Sequence, residues 1–225
     1  MIYLLDTADL ESIKRCNEYY PIDGVTTNPS IIAKENTEFW PLIEEIRNII
    51  GKDKMLHVQT RAEKAEDIIK EAMLLIERLG GEFYIKIPIS EEGLKATMLL
   101  NKMGIKVTIT AIFTPAQALL AAKAGASFVA PYVNRLDNIL GDGADVVAQI
   151  VEEFKKHNLE TKVLAASFKN SEQVHKCAMA GCHCATVTES TLKNLVSYPM
   201  TENAITGFDN DWKAVYGEKT LLDME

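Results

Sequence analysis

The chain has 225 residues, of which 47% are hydrophobic and 25% are charged, and this is enough apolar material for the core of one large domain. Its formal net charge is -8 at pH 7 and its pI is about 5.2. Nucleic acids and anionic membranes attract basic surfaces, so the acidic balance argues against both as partners.

Short apolar or β-branched runs alternate with helix-length amphipathic segments along the chain, which is typical of βα units and a parallel sheet. Eight runs are predicted strands: Ile2–Asp6, Gly24–Asn28, Met55–Gln59, Phe83–Pro88, Lys106–Thr110, Phe128–Val133, Lys162–Ser167 and Cys184–Val187. The clearest helical patterns are Ala62–Leu79, Glu91–Met103, Pro115–Ala124, Ala144–His157 and Ser171–Ala180. We predict one α/β domain over residues 1–225, a (β/α)₈ TIM barrel. A doubly wound open sheet is the alternative.

One further helix is predicted after the eighth unit, at Thr201–Tyr216. Its spacing places Ile205, Phe208, Trp212 and Val215 on one apolar face. A complete barrel does not need this helix. It is either a lid over the bottom of the barrel or an arm that reaches a neighbouring subunit.

Catalytic groups of such barrels lie at the carboxyl ends of the strands, around one mouth. The predicted strands end in or beside polar side chains: Asp6, Thr26, Asn28, Gln59, Lys86, Thr110, Tyr132, Asn134, Arg135, Ser167 and Thr188. Each alone is compatible with an ordinary turn or strand end. Because all would converge on one mouth, we predict that together they form a site.

Lys86 stands in an apolar strand, where a solvated lysine has no obvious place. An ordinary lysine is neutral in only roughly one molecule in 2,500 at pH 7. Burial disfavours the charged form and so produces the neutral amine that attacks a carbonyl. The alternative is a lysine whose ammonium group reaches past the strand end to water. Lys106 and Lys162 lie at strand starts, on the wrong side of the barrel for this chemistry.

Two other groups of residues support a site for a phosphorylated sugar. Asp6 can exchange a proton with a substrate hydroxyl, and Thr26 and Asn28 can fix further hydroxyls, although Asn28 or Ser30 can also cap a helix at Ile31–Lys34. On the late strands, a phosphate site is predicted from these side chains: Asn134, Arg135, Ser167 and Lys169. A surface Arg135 paired with Asp137 or Asp142 is the alternative.

No metal or other cofactor is predicted. The cysteines and histidines near the C-terminus have poor ligand spacing, and small buried cysteines explain them better: His175, Cys177, Cys182, His183 and Cys184. Four cysteines do not make a disulfide framework, and the N-terminal apolar run is too short for a signal peptide or a membrane span. We therefore expect a cytoplasmic protein.

The motifs resemble those of the small bacterial transaldolases and fructose-6-phosphate aldolases. The resemblance rests on five segments: Leu4–Ala8, Gly24–Ser30, Ile85–Pro88, Pro131–Asp137 and Ala165–Lys169. It implies a Schiff base on Lys86, Asp6 as acid/base, donor hydroxyls held by Thr26 and Asn28, and phosphate bound by Arg135 and Ser167. It also implies a C-terminal helix that reaches over an adjacent subunit, in pentamers that pair into decamers.

The two branches of that family differ at two positions. Transaldolases carry Glu where this chain has Gln59, and often Phe where it has Tyr132, so the chain resembles the aldolase branch. The expected reaction is cleavage of fructose 6-phosphate into dihydroxyacetone and glyceraldehyde 3-phosphate, with a water held by Gln59, Thr110 and Tyr132. The alternatives are a transaldolase that passes the dihydroxyacetone unit to erythrose 4-phosphate, and a non-catalytic barrel that binds sugar phosphates.

Overall fold

The computed structural model of the chain describes residues 1–224. Eight parallel strands close into a barrel, because each strand pairs with the next and the eighth pairs with the first. The strands are β1 (Ile2–Asp6), β2 (Gly24–Thr26), β3 (Met55–Gln59), β4 (Phe83–Pro88), β5 (Val107–Ile112), β6 (Phe128–Pro131), β7 (Lys162–Ala165) and β8 (Cys184–Val187). The closed order confirms the predicted (β/α)₈ barrel and excludes the open sheet.

Helices follow the strands and cover the outside of the barrel with their apolar faces. They are α1 (Leu10–Tyr19), α2 (Pro29–Lys34), α3 (Phe39–Ile50), α4 (Ala65–Leu79), α5 (Glu91–Lys102), α6 (Pro115–Lys123), α7 (Val133–Asp137), α8 (Gly143–Lys156), α9 (Ser171–Met179), α10 (Glu189–Val196) and α11 (Pro199–Tyr216). Gly104, Gly125 and Gly181 follow three of them with positive φ, as glycines do at helix ends. No helix within residues 1–224 is both long and apolar enough to cross a membrane.

Several predicted boundaries are wrong by a few residues at the mouth of the barrel. β2, β6 and β7 end at Thr26, Pro131 and Ala165, earlier than predicted, because the chain there turns to begin or cap the next helix. β5 instead starts at Val107 and continues to Ile112 through a bulge. The helix predicted from Ala62 begins at Ala65, after a loop whose backbone N–H groups donate to Glu71.

The amino-terminal half of the barrel interior is filled by apolar side chains, namely Leu4, Tyr84, Phe128, Leu164 and Cys184. His57 lies on this layer: its imidazole stacks on the Tyr84 ring at 4.5 Å and meets the Phe128 ring edge-on at 5.5 Å. Its Nδ1 lies 2.9 Å from the hydroxyl of Thr108. Burial, assisted by the charge of Lys86, lowers the pKa of His57 to about 3, so this imidazole is neutral.

The last helix, α11, stands apart from the barrel. It begins at Pro199, two residues before the predicted start, since proline suits the first turn of a helix. None of its residues is buried, and Ile205, Phe208 and Val215 remain 61%, 72% and 72% exposed. Trp212 is half-buried, with its indole N–H donating to the carbonyl of Lys219. The helix therefore does not fold back over its own barrel.

Candidate active site

A cavity of about 430 Å³ opens at the carboxyl ends of the strands. Seven of the residues with a predicted role in catalysis or substrate binding line it: Asp6, Asn28, Gln59, Lys86, Tyr132, Arg135 and Ser167. They come from six of the eight βα units, so residues far apart in the sequence meet in one wall. Thr26 and Thr110 are buried and hydrogen-bond to lining residues from behind.

Lys86 reaches the cavity from the middle of β4 and is only 4% exposed. Its Nζ donates to the backbone carbonyl of Thr27 at 3.1 Å. Burial lowers the pKa of Lys86, and the negative charge of Asp6 partly offsets this effect. The side chain therefore ends in the cavity and does not reach past it to open water, and its amine is shifted toward the neutral form.

Asp6 is held by a chain of two threonine hydroxyls. The Thr26 hydroxyl donates to Asp6 Oδ1 at 2.7 Å, and it lies 2.6 Å from the Thr186 hydroxyl. Because Thr26 has only one hydroxyl hydrogen, Thr186 must be the donor in the second contact. Burial raises the pKa of Asp6, while Lys86, Thr26 and Lys34 each lower it in part.

Tyr132 and Thr110 meet on the opposite side of the mouth. The Thr110 hydroxyl donates to the phenol oxygen of Tyr132 at 3.2 Å, which leaves the phenol hydrogen available to the cavity. A bulge after Thr110 makes this contact possible: Ala111 has a φ of 59° and the strand register shifts around it. Bulges at barrel rims commonly re-aim a side chain in this way. Gln59, on β3, lines the same cavity.

Arg135 and Ser167 occupy the side of the cavity formed by the sixth and seventh units. The guanidinium of Arg135 lies over the Tyr132 ring at 4.9 Å. It makes no ion pair with Asp137 or Asp142 in the described part of the chain, so the alternative of a surface ion pair is wrong. Asp137 accepts from the Gly143 backbone. Ser167 has a φ of 61°, a strained conformation that is concentrated at functional sites.

Two predicted phosphate ligands are not part of the cavity wall. Asn134 accepts a hydrogen bond from Gln173 Nε2 at 3.2 Å, because α7 turns its amide toward α9. Lys169 is exposed, and its backbone N–H donates to the side chain of Gln173. Both residues support the loops that carry Arg135 and Ser167, and neither lines the cavity in which they were predicted to contact the substrate.

The wall also contains residues that the sequence did not single out as ligands. Lys34 ends α2, which Asn28 caps by accepting from the backbone of Ile31 at 2.9 Å. Thr188, which follows the end of β8, lines the cavity and caps α10. Helical periodicity does not indicate Lys34, because it lies six residues after the capping Asn28 and residues on one helix face are three or four apart.

The cysteines near the C-terminus are free and buried. Burial raises the pKa of Cys177 and Cys184 to about 12, and His183 Nδ1 accepts from the Val163 backbone at 3.1 Å. Among residues 1–224, no three or more His, Cys, Asp or Glu side chains are grouped closely enough to hold a metal ion. The inert thiols fit the packing role expected of small buried cysteines.

Residues 3–222 match the family described as Transaldolase/Fructose-6-phosphate aldolase. The chain belongs to this family. It is therefore an enzyme of the aldolase/transaldolase type, and the resemblance seen in its motifs is confirmed. Three curated relatives, each named a probable transaldolase, match almost end to end. The one from Lachnoclostridium phytofermentans is 43% identical over 97% of this chain and 100% of its own length.

The relative from Brachyspira hyodysenteriae is 42% identical, with the same coverage, and the one from Methanococcus maripaludis is 41% identical over 95% of this chain and 98% of its own. Solved structures share the fold. A mutant flavocytochrome b2 with benzoylformate gives a TM-score of 0.62 at 14% identity, covering 84% of this chain and 57% of its own. Native KDPGal gives 0.56 at 19% identity, covering 83% and 81%.

Proposed function

We propose that this enzyme is a class I aldolase that cleaves and forms fructose 6-phosphate through a Schiff base on Lys86. The observation that carries the proposal is the buried amine of Lys86, in one cavity with the carboxylate of Asp6. Desolvation favours the neutral nucleophile, and a nearby carboxylate can exchange protons with the substrate. The two groups supply the chemistry that an imine-forming aldolase requires.

In the proposed cycle, neutral Lys86 attacks the C2 ketone of the sugar, and Asp6 assists the loss of water to give an iminium ion. The C4 hydroxyl then gives its proton to Asp6 as the C3–C4 bond breaks. The bond electrons flow into the iminium, so glyceraldehyde 3-phosphate leaves and a neutral enamine of dihydroxyacetone remains on the lysine. Protonation at C3 and hydrolysis of the imine release dihydroxyacetone and restore the amine.

The choice of aldolase over transferase rests on how the enamine is protonated. Tyr132 keeps its hydroxyl hydrogen for the cavity because Thr110 donates to its oxygen. Gln59 can orient a water molecule without taking its proton. Together, Thr110, Tyr132 and Gln59 can therefore deliver a proton to the enamine. Arg135 and Ser167 are proposed to bind the phosphate, since a guanidinium matches phosphate oxygens in two parallel hydrogen bonds.

A transaldolase is the second candidate, and the names of the curated relatives favour it. It would use the same Lys86 enamine but pass the three-carbon unit to erythrose 4-phosphate, giving sedoheptulose 7-phosphate. A paired assay separates the two candidates: dihydroxyacetone release from fructose 6-phosphate, and sedoheptulose 7-phosphate formation when erythrose 4-phosphate is added. Transfer that greatly exceeds release in the unmodified enzyme would replace the aldolase proposal with the transaldolase.

The Schiff base itself is tested by reduction. Borohydride added with fructose 6-phosphate or dihydroxyacetone should leave a covalent adduct on Lys86, which peptide mass mapping locates. An adduct on another lysine, or none, would contradict both candidates. Activity should survive an excess of chelator, because the iminium is the electron sink and the proposed cycle has no metal step. Loss with EDTA and recovery with zinc would contradict that cycle.

We also propose a homo-oligomer, a decamer of two pentamers, with α11 packed on a neighbouring subunit. Ile205, Phe208 and Val215 are exposed on this helix, and leaving such side chains in water costs about 25 cal/mol per Å². Sedimentation of the whole chain should therefore differ from that of a chain ending near Pro199, and a monomeric full-length protein would contradict the proposal.

Free buried cysteines are compatible with a reducing compartment, and we place the enzyme in the cytoplasm.

A further inference from the structure

The charges in the cavity wall are unevenly distributed. The wall carries three positive side chains, Lys34, Lys86 and Arg135, but Asp6 is its only carboxylate. The chain as a whole has a net charge of -8, so this excess of positive charge is local. Arg135 has a role in the proposed function as the phosphate ligand, and Lys86 as the nucleophile. Lys34 has none.

Lys34 and Arg135 lie on opposite sides of the mouth. Lys34 ends the helix after β2, and Arg135 lies in the helix after β6, and strands four positions apart in a closed ring of eight face each other across the barrel. Asp6 ends β1, the neighbour of β2. Lys34 is therefore on the side of the carboxylate, away from the proposed phosphate site. Within residues 1–224 it forms no ion pair with any carboxylate inside 4 Å.

The groups that act on Asp6 come from several elements around it. The hydroxyl of Thr26 reaches it from β2, and the hydroxyl of Thr186 on β8 supports Thr26. The positive charges that lower its pKa are those of Lys86 on β4 and Lys34 on α2. When Lys86 loses its proton to become a nucleophile, Asp6 loses the stronger of these two positive influences. Lys34 is then the positive side chain that remains on its side of the cavity.

We propose that Lys34 is a positioning residue for the reaction, whose ammonium group favours the state in which Lys86 is a free amine and Asp6 is a carboxylate at the same time. The inference rests on the proposed function, because that state is the one in which Lys86 attacks the ketone. Two interacting groups titrate as a unit, so the positive charge of Lys34, which lowers the pKa of Asp6, favours loss of protons from the pair as a whole.

The test uses dihydroxyacetone, which has no phosphate, so that binding of a substrate phosphate does not enter the measurement. Adduct formation on Lys86 in the presence of cyanoborohydride is followed by mass spectrometry from pH 6 to pH 10. Replacement Lys34→Met should move the midpoint of the rising limb to higher pH by about half a unit or more. Replacement Lys34→Arg retains the charge and should keep the midpoint of the unmodified enzyme.

A matched control is Lys123→Met, because Lys123 is also an exposed lysine in the last turn of a short helix but is not part of the cavity wall. It makes the same change in net charge and should leave the midpoint in place. A midpoint unchanged in Lys34→Met, or shifted equally in Lys123→Met, would overturn the inference. The inference would also be overturned if Lys34→Met raised only the KM for fructose 6-phosphate, because that result would identify Lys34 as a phosphate ligand. Absence of any adduct in the unmodified enzyme would instead overturn the proposed function itself.

Discussion

The mouth of the barrel and the layer beneath it are built from the same strands, two residues apart. On β4, Tyr84 belongs to the lower layer and Lys86 to the mouth, and on β3 the same spacing separates His57 from Gln59. The mouth has charged side chains around a cavity, whereas the lower layer has aromatic side chains and a neutral imidazole. Since alternate residues of a strand face the interior in successive layers, chemistry and packing can be altered separately.

The largest expected effect is on the nucleophile. Lys86→Met should lower turnover by at least about 10⁴-fold, which corresponds to about 5.5 kcal/mol of lost transition-state stabilisation, while cooperative thermal unfolding is retained because methionine suits an apolar strand. The control is Lys106→Met, since Lys106 precedes the next strand at the other end of the barrel and pairs with Glu82. Comparable activity losses in the two variants would mean that position in the barrel does not decide the role of these lysines.

Replacing a large side chain by a small one in the lower layer should reduce stability and leave catalysis nearly unchanged. Phe128 is 2% exposed and packs edge-on against Tyr84 at 5.1 Å. Phe128→Ala should lower the free energy of unfolding by about 3–5 kcal/mol and leave kcat within a few-fold. Urea unfolding at fixed protein concentration, with activity measured well below the midpoint, checks both. A loss of kcat beyond tenfold in the folded variant would show that the two layers are coupled.

The buried imidazole makes the lower layer sensitive to acid. His57 has a pKa of about 3 in the folded protein and about 6.5 when unfolded, so the unfolded state binds more protons as pH falls. Stability is therefore lost below pH 6.5, by about 1.4 kcal/mol per pH unit from this group until its folded pKa is reached. His57→Phe should remove that part of the pH dependence of urea unfolding. His175→Gln, at an exposed position on α9, should not, and equal effects of the two changes would contradict the assignment.

The smallest expected effect is at the mouth of the barrel. It concerns whether the enamine on Lys86 is protonated and released or is transferred to an aldehyde acceptor. Tyr132→Phe removes a proton donor and keeps the ring, so it should raise the ratio of transfer to release at least tenfold, which requires only about 1.4 kcal/mol. Adding Gln59→Glu should raise the ratio of transfer to release further. Tyr84→Phe makes the same chemical change one layer down and should leave the ratio unaltered. A ratio that does not respond to Tyr132 would remove the support for the aldolase over the transaldolase.

Much of the site could be predicted from single residues at strand ends. Lys86 in an apolar strand and Asp6 at the end of the first strand were both found in this way, and both line the cavity. Asn134 and Lys169 were predicted as ligands because they lie near strand ends in the sequence. Their side chains instead support loops or face solvent, since a few residues of turn or helix are enough to redirect a side chain away from the mouth.

The sequence by itself determined a parallel α/β fold, because eight β-branched runs alternating with amphipathic helices bury their apolar faces between a parallel sheet and its helices, and closure of that sheet into a barrel was seen in the structure. It also determined the family, through motifs distributed along the whole chain. Only the tertiary structure decided which strand ends share a wall, that Thr186 supports Asp6 through Thr26, and that Lys34 faces the same cavity. These features depend on barrel closure, which brings β8 beside β1 and fixes which side chains meet across the mouth, and no local pattern encodes such distances.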